Sequence, residues 1–302
     1  MKHILSKYNK EKHFFSEPFP HIIIEDCLDD DLYDRLEKNF PDNDSFSPEN
    51  KAENEAYWIY GKDIKNISPI WSGFIDGHVS QSFFDTATDM LSPFMTDLDV
   101  DYVDNLGKEL SNCSFSLAES GRENNPSNKK TDTVISVAVG INTPCEIRST
   151  LEPPHVDFPQ KLFNALLYMR SDDDIDDNTC GDVTLYKTKD PFVFNGREGR
   201  REIDKKYLTT PKTVKYKKNV LILFPQNIKA VHGVTARGPT VHTRRYININ
   251  MESYTLKRNG FFEAPRALST RVKFMLYTPF VRGLKNILRP SYHAIRNYRS
   301  KH

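Results

Sequence analysis

Apolar and polar positions alternate in two distinct rhythms along this chain. Near the start, Phe19-Pro-His-Ile-Ile-Ile-Glu25 carries three consecutive β-branched residues, which predicts a strand. Leu28, Leu32, Leu36 and Phe40 then recur every four residues behind Asp29, Asp30 and Asp31. That is an amphipathic helix with acids at its positive dipole end, closed by Pro41. From 42 to 54 the chain is polar and reads as a loop. Pro69 to Met95 reads as two helical pieces, with Trp71, Phe74, Ile75, His78 and Val79 on one stripe and Phe83, Phe84, Met90 and Leu91 beyond. These helices are scaffold, and His21 and His78 are ordinary structural histidines. Residues 119–131 carry no apolar side chain, which predicts an exposed loop.

Strand signals take over after that loop. They cover 133–141, 161–169, 182–186, 219–224 and 246–251, with turns between them. Short strands so spaced predict an antiparallel sandwich or barrel. The run 172–178 is an acidic turn that like-charge repulsion should keep in solvent; it lacks the spacing of a calcium loop. Past Met251 a helical stripe returns: Val272, Leu276, Phe280, Leu284, Ile287 and Leu288, kinked at Pro279 and Gly283.

Charge changes the picture at that end. The net charge is +1, but residues 251–302 hold eleven Lys and Arg against Glu252 and Glu263, giving +9 there and −8 elsewhere. The basic stretch predicts packing on the core or on a second subunit, or contact with an anionic surface. A nucleic-acid partner is not expected, because no aromatic-basic platform accompanies it. Cysteines 27, 113, 145 and 180 form no CxxC pair and read as free thiols. No apolar h-region opens the chain and no run is long enough to span a bilayer, so the expectation is a cytoplasmic protein.

The candidate chemistry centres on His155-Val-Asp157, bracketed by prolines 153, 154 and 159. Two residues apart on an extended chain, the imidazole and carboxylate share a face. They are two-thirds of a facial triad, the set that holds Fe(II) on one side and leaves the other open. His232, in Val231-His-Gly-Val, is the candidate third ligand, and His242 is its rival. In Thr243-Arg-Arg-Tyr-Ile-Asn-Ile-Asn250, alternation puts Arg244, Tyr246, Asn248 and Asn250 on one face and Arg245, Ile247, Ile249 and Met251 on the other. An Arg leading a polar face suits capture of a carboxylate.

His155-Val-Asp157, the strand 161–168, Cys180-Gly-Asp-Val-Thr-Leu-Tyr186, His232-Gly-Val and Thr243-Arg244, in this order, resemble the Fe(II)/2-oxoglutarate-dependent dioxygenases, and among them the prolyl-hydroxylase-like group. The opening Pro18-Phe-Pro-His-Ile-Ile-Ile-Glu is similar to the N-terminal segment of bacterial and phage members. The resemblance spans roughly residues 18–251. It implies a mainly β fold with flanking helices: a double-stranded β-helix, or jelly-roll, core with N-terminal helices on one sheet. Residues 1–251 would form the oxygenase domain, with helical support over 1–110 and the core over about 111–251. Residues 252–302 would form a basic helical extension.

The same resemblance implies Fe(II) on His155, Asp157 and His232, with 2-oxoglutarate and O2 as co-substrates. It implies that the far carboxylate of 2-oxoglutarate pairs with an arginine, here Arg244, with Arg245 as the register alternative. Tyr168 and Asn248 are further candidates beside the co-substrate. Arg244 stands twelve residues past His232, at the far end of the family's spacing, and Asp182 replaces a glycine common there. Asp157 is intact where halogenases of this fold carry a small residue, which points to hydroxylation. A different cupin-type metalloenzyme and a non-catalytic jelly-roll binding module are the other readings. The substrate, a small molecule or a protein side chain, is left open. The basic run Arg197, Arg200, Arg201, Lys205 and Lys206 reads as a solvated loop more than as an acidic-substrate contact.

Overall fold

The computed structural model describes residues 2–46, 55–95, 102–119, 125–174, 181–189, 192, 194, 201–258 and 260–262. Cys180, Arg197, Arg200 and the basic stripe after residue 263 lie outside the described residues.

Each segment read above as a strand becomes one. Twelve are present among the described residues: β1 (Phe14–Phe15), β2 (His21–Ile24), β3 (Ala56–Tyr60), β4 (Phe115–Leu117), β5 (Thr133–Asn142), β6 (Glu152–His155), β7 (Lys161–Tyr168), β8 (Val183–Thr188), β9 (Leu208–Val214), β10 (Leu221–Pro225), β11 (His232–Val234) and β12 (Arg244–Glu252). They form an eight-stranded sheet ordered β1-β2-β10-β7-β12-β5-β3, with β4 also on β5, and a four-stranded sheet ordered β6-β11-β8-β9. From β5 to β12 the chain therefore passes between the sheets, filling β10-β7-β12-β5 in one and β6-β11-β8-β9 in the other. That order is a jelly roll, the double-stranded β-helix. The N-terminal part contributes strands as well as helices.

Alternation decides which side chains face which layer. On β12, Ile247, Ile249 and Met251 are fully buried in one cluster with Ile135, Val137, Val139 and Ile141 of β5 and Phe163, Ala165 and Leu167 of β7. That face is covered by the helices α2 (Asp30–Lys38), α4 (Pro69–His78) and α5 (Gln81–Met95), among the six helices α1 (Lys10–His13) to α6 (Tyr102–Leu106), with α3 at Gly61–Lys65. Their Leu36, Trp71, Phe74, Phe83 and Phe84 enter the same cluster. Each such aliphatic or aromatic side chain contributes about 1.5–3 kcal/mol by leaving water. The opposite face of the large sheet meets the small sheet: Tyr168, Ile222, Phe224 and Tyr246 cluster with Val183, Leu185 and Val214.

Some loop expectations change. In the polar stretch after Pro41, Phe46 is buried in a short 3-10 turn. Asn128 is buried, its side chain bonded to both backbone groups of Glu119. Asp174, in the acidic turn, is buried rather than solvated because Arg170 pairs with it at 3.3 Å. The chain after β12 is anchored too. Asn105 of α6 bonds Gly260, Lys257 and Arg258, and Phe261 packs on Tyr102.

The histidines His21 and His78 are structural, as expected. His78 has its Nδ1 2.7 Å from the Phe74 carbonyl, and its Nε2 accepts from the Ile4 backbone. It thereby ties the N-terminus to α4. Burial pushes its pKa down to about 3 and that of His21 to about 4. An unfolded chain takes up protons on both below pH 6.5, whereas the native fold does not. Stability contributed by these groups is therefore present above pH 6.5 and is lost as pH falls toward 3–4. His155 runs the other way, its pKa being raised, and offsets part of this. His78 alone accounts for a loss of about 2 kcal/mol between pH 7 and pH 5; His21 and His232, each at about 4, act in the same direction, and the expected sum in the metal-free protein is lower stability at pH 5. Urea unfolding at the two pH values checks this; equal midpoints contradict it.

Candidate metal centre

β6 and β11 pair so that His155 lies directly across from His232. Their rings stand 4.5 Å apart between centroids. Asp157 follows just past the end of β6, where the Pro-rich segment turns toward β7. The ligand atoms of His155, Asp157 and His232 all lie within 4.8 Å of one another. From Asp157 Oδ1, the two Nε2 atoms are at 3.6 Å and 4.0 Å.

Each ligand's other heteroatom is tied back. His155 Nδ1 lies 2.8 Å from the Pro153 carbonyl and His232 Nδ1 lies 3.0 Å from the Ala230 carbonyl. A carbonyl only accepts, so Nδ1 carries the proton in both neutral rings, and each neutral ring presents a bare Nε2 to the centre. Asp157 Oδ2 accepts from Lys161 Nζ, Asn164 Nδ2 and Gln226 Nε2, each at 3.0 Å. Only Oδ1 remains for the space between the imidazoles.

The electrostatics follow. Burial raises the Asp157 carboxyl, but the Lys161 ammonium and the flanking imidazoles outweigh it and hold the pKa well below the usual carboxylate range. His232 is pushed by burial, and next by His155, down to about 4. His155 loses by burial but gains more from Asp157, so its pKa rises. An ionised carboxylate and a neutral His232 are ready for a divalent metal, which would have to displace the proton that Asp157 favours on His155.

Arg244 is buried on the face of β12 that meets the small sheet. Its Nε donates to the Gly181 carbonyl at 2.8 Å and its Nη1 to Asn142 Oδ1 at 3.1 Å. Gly181 sits at φ +85°, and a Cβ there would come 3.1 Å from the Arg244 side chain, so glycine serves both the turn and the approach. Tyr168, Tyr216 and Tyr246 surround the guanidinium at 4.9–5.3 Å. Arg244 Nη2 is buried without a partner, and no ion pair to Arg244 exists among the described residues. Leaving such a charged donor unpaired is costly, so the position calls for an anion. Arg245 turns to the other side, over Phe40 and 3.4 Å from Glu37. Asn248 is half-buried on the Arg244 face, two positions from Tyr246.

His242 lies in the turn before β12 and is outside the His155–Asp157–His232 cluster. Its backbone carbonyl accepts from Arg237, a buried arginine that also donates to the carbonyls of Thr143 and Asn142. Arg237 is thus spent on backbone. Sequence reasoning missed it, along with Lys161, Gln226 and Tyr216. Asp182 is likewise more than a turn residue: its carboxylate accepts from the Tyr216 backbone at 2.8 Å and from Lys215 at 3.0 Å, holding Tyr216 beside Arg244. Arg201 stacks on the exposed Phe158 at 4.9 Å, its carbonyl accepts from the Val156 N–H, and the Ile203 N–H donates to the Pro154 carbonyl, so part of the basic run lies beside the strand that carries His155.

No family model and no curated protein matches the chain. Solved structures do. A prolyl 4-hydroxylase from Phytophthora capsici is 14% identical, with 87% of this chain and 68% of that one covered at a TM-score of 0.42. One from Pseudomonas putida is 12% identical, covering 81% and 95% at 0.41. The epimerase SnoN in complex with Fe3+, alpha-ketoglutarate and nogalamycin RO is 10% identical, covering 82% and 90% at 0.44. The jelly-roll assignment rests on the strand order itself. No helix among the described residues is long and apolar enough to cross a membrane.

Proposed function

We propose that this protein is an Fe(II)- and 2-oxoglutarate-dependent oxygenase that hydroxylates a C–H bond of a small molecule or a protein side chain. The observation that carries the reading is the triad: two bare Nε2 atoms and one carboxylate oxygen converge, with every other heteroatom of the three side chains already bonded. His155, Asp157 and His232 would hold the iron on one side. When bound, that metal with 2-oxoglutarate and O2 supplies the oxidation, releasing succinate and CO2.

The chain's own residues do the positioning. The Pro153 and Ala230 carbonyls fix the imidazole tautomers. Arg244 Nη2 pairs with the far carboxylate of 2-oxoglutarate, and its tyrosine surround keeps water from that pair, which strengthens it. Tyr168 and Asn248 flank the co-substrate on the same sheet face. Asp157 supplies the carboxylate ligand that hydroxylation retains. Residues 1–251 form the catalytic unit in this reading.

The test is succinate formation by the purified protein supplied with Fe(II), 2-oxoglutarate and oxygen. Turnover without added substrate is slow but depends on all three. Succinate release that persists when iron is chelated, or none under any loading, sinks the proposal.

A further inference from the structure

Lys161 is the first residue of β7, and it is buried: its side chain is 8% exposed. A lysine normally sends its ammonium to water. Here Nζ instead lies 3.0 Å from Asp157 Oδ2, the oxygen that does not face the histidines. Asn164 and Gln226 donate to the same oxygen. Those two amides are neutral and suffice to aim a carboxylate. The ammonium adds a full charge where a metal ligand's own charge is expected to do the work.

We propose that Lys161 is a positioning residue of the metal centre whose buried ammonium cancels the Asp157 charge, so that a metal dication and a dianionic chelator bind there interdependently. The proposal rests on the oxygenase reading above. In the metal-free protein the pair satisfies Asp157, which keeps the triad assembled before loading. Once a dication enters between neutral imidazoles, ammonium and carboxylate sum to nothing, and the protein offsets none of the metal's charge. 2-Oxoglutarate then supplies the negative charge that the protein does not: its chelating end offsets one unit of the metal's charge while its far carboxylate pairs with Arg244. Metal alone is then held weakly and metal with 2-oxoglutarate tightly, a coupling of the usual allosteric size.

Mn(II) is the probe, its binding measured by calorimetry with and without 2-oxoglutarate, which gives a readout apart from turnover. Lys161→Gln keeps a donor and removes the charge. It should tighten Mn(II) alone by about tenfold and cut the gain from 2-oxoglutarate by about tenfold. Lys161→Arg should restore the wild-type coupling. Gln226→Leu removes a neutral donor and should weaken Mn(II) roughly tenfold with the coupling intact. If Lys161→Gln leaves affinity and coupling unchanged, or weakens Mn(II), Lys161 is only structural and the proposal fails.

A wild-type arm covers a glutamine variant that does not fold. Relative to their affinities for free Mn(II), dianionic oxalate should tighten Mn(II) on the protein more than neutral bipyridine does, and equal gains overturn the proposal. Should wild type not bind Mn(II), or bind it equally after His232→Ala, the oxygenase reading itself falls and takes this role of Lys161 with it.

Discussion

Replacing His155 or His232 with alanine should abolish metal binding and 2-oxoglutarate turnover. Each side chain supplies one of three converging ligand atoms, and neither has a substitute within the cluster. Loss of an outer hydrogen-bond partner alone costs metal sites about 10–100-fold in affinity, and loss of a ligand exceeds that. Asp157 needs a gentler change. Asp157→Ala would leave the Lys161 ammonium buried and unpaired, a cost of about 3–5 kcal/mol in stability. Asp157→Asn keeps the volume, removes the charge and should lose metal with less damage to the fold. His242→Ala should leave metal binding unchanged, since that residue sits in a turn outside the cluster. Calorimetry with Mn(II) on the four variants checks the set. Iron-site loss in the His242 variant with retention in the His232 variant would show that the third ligand is misassigned.

Arg244→Ala carries the second large effect. Truncating one partner of a buried charge pair costs about 2–5 kcal/mol, so the 2-oxoglutarate requirement should rise by roughly thirtyfold to several thousandfold. Mn(II) affinity without 2-oxoglutarate should stay within about twofold, because Arg244 touches Gly181 and Asn142 rather than any triad residue. Arg245→Ala should change little. Its ion pair with Glu37 is partly exposed, and such pairs contribute about 0–1 kcal/mol. A 2-oxoglutarate titration of both variants decides the matter; a large effect at Arg245 and none at Arg244 contradicts the strand register.

Alternation alone separates Arg244 from Arg245. Period 2 on β12 runs from Arg244 to Met251, before the irregularity at Glu252, and Ile247, Ile249 and Met251 mark the core face. The wider strand signal, a run rich in β-branched and other apolar residues, marks β5, β7, β8 and β10. It fails where strands are short or Pro-rich. β6 is Glu-Pro-Pro-His and β11 is three residues, so neither shows a period, yet both carry candidate ligands. Partner strands, not propensity, hold them extended. The histidines are therefore legible as chemistry and not as strand. β9 is hidden by its threonines, Pro211 and Lys212 on a sheet edge.

The surround of the site is harder to read. Asn164 follows from alternation, since it shares the inner face of β7 with Tyr168. Lys161 and Gln226 have no such signal: one begins a strand and the other follows Pro225, and only the tertiary fold brings both to Asp157. Arg237 resembles any solvated turn arginine in sequence. It is buried because three backbone carbonyls of the turn before β12 and the end of β5 converge on it. Asp182 reads in sequence as a minor turn change, and its role emerges only with Tyr216 across the hairpin.

The central claim is that one site takes iron and 2-oxoglutarate together. The most direct measurement is an anaerobic visible spectrum of the purified protein titrated with Fe(II) and 2-oxoglutarate. A weak metal-to-ligand charge-transfer band should appear only when both are present, vanish in the His232→Ala protein, and require far more 2-oxoglutarate in the Arg244→Ala protein. A wild-type spectrum that shows no such band with both additions, at concentrations saturating for Mn(II) binding, would contradict the account.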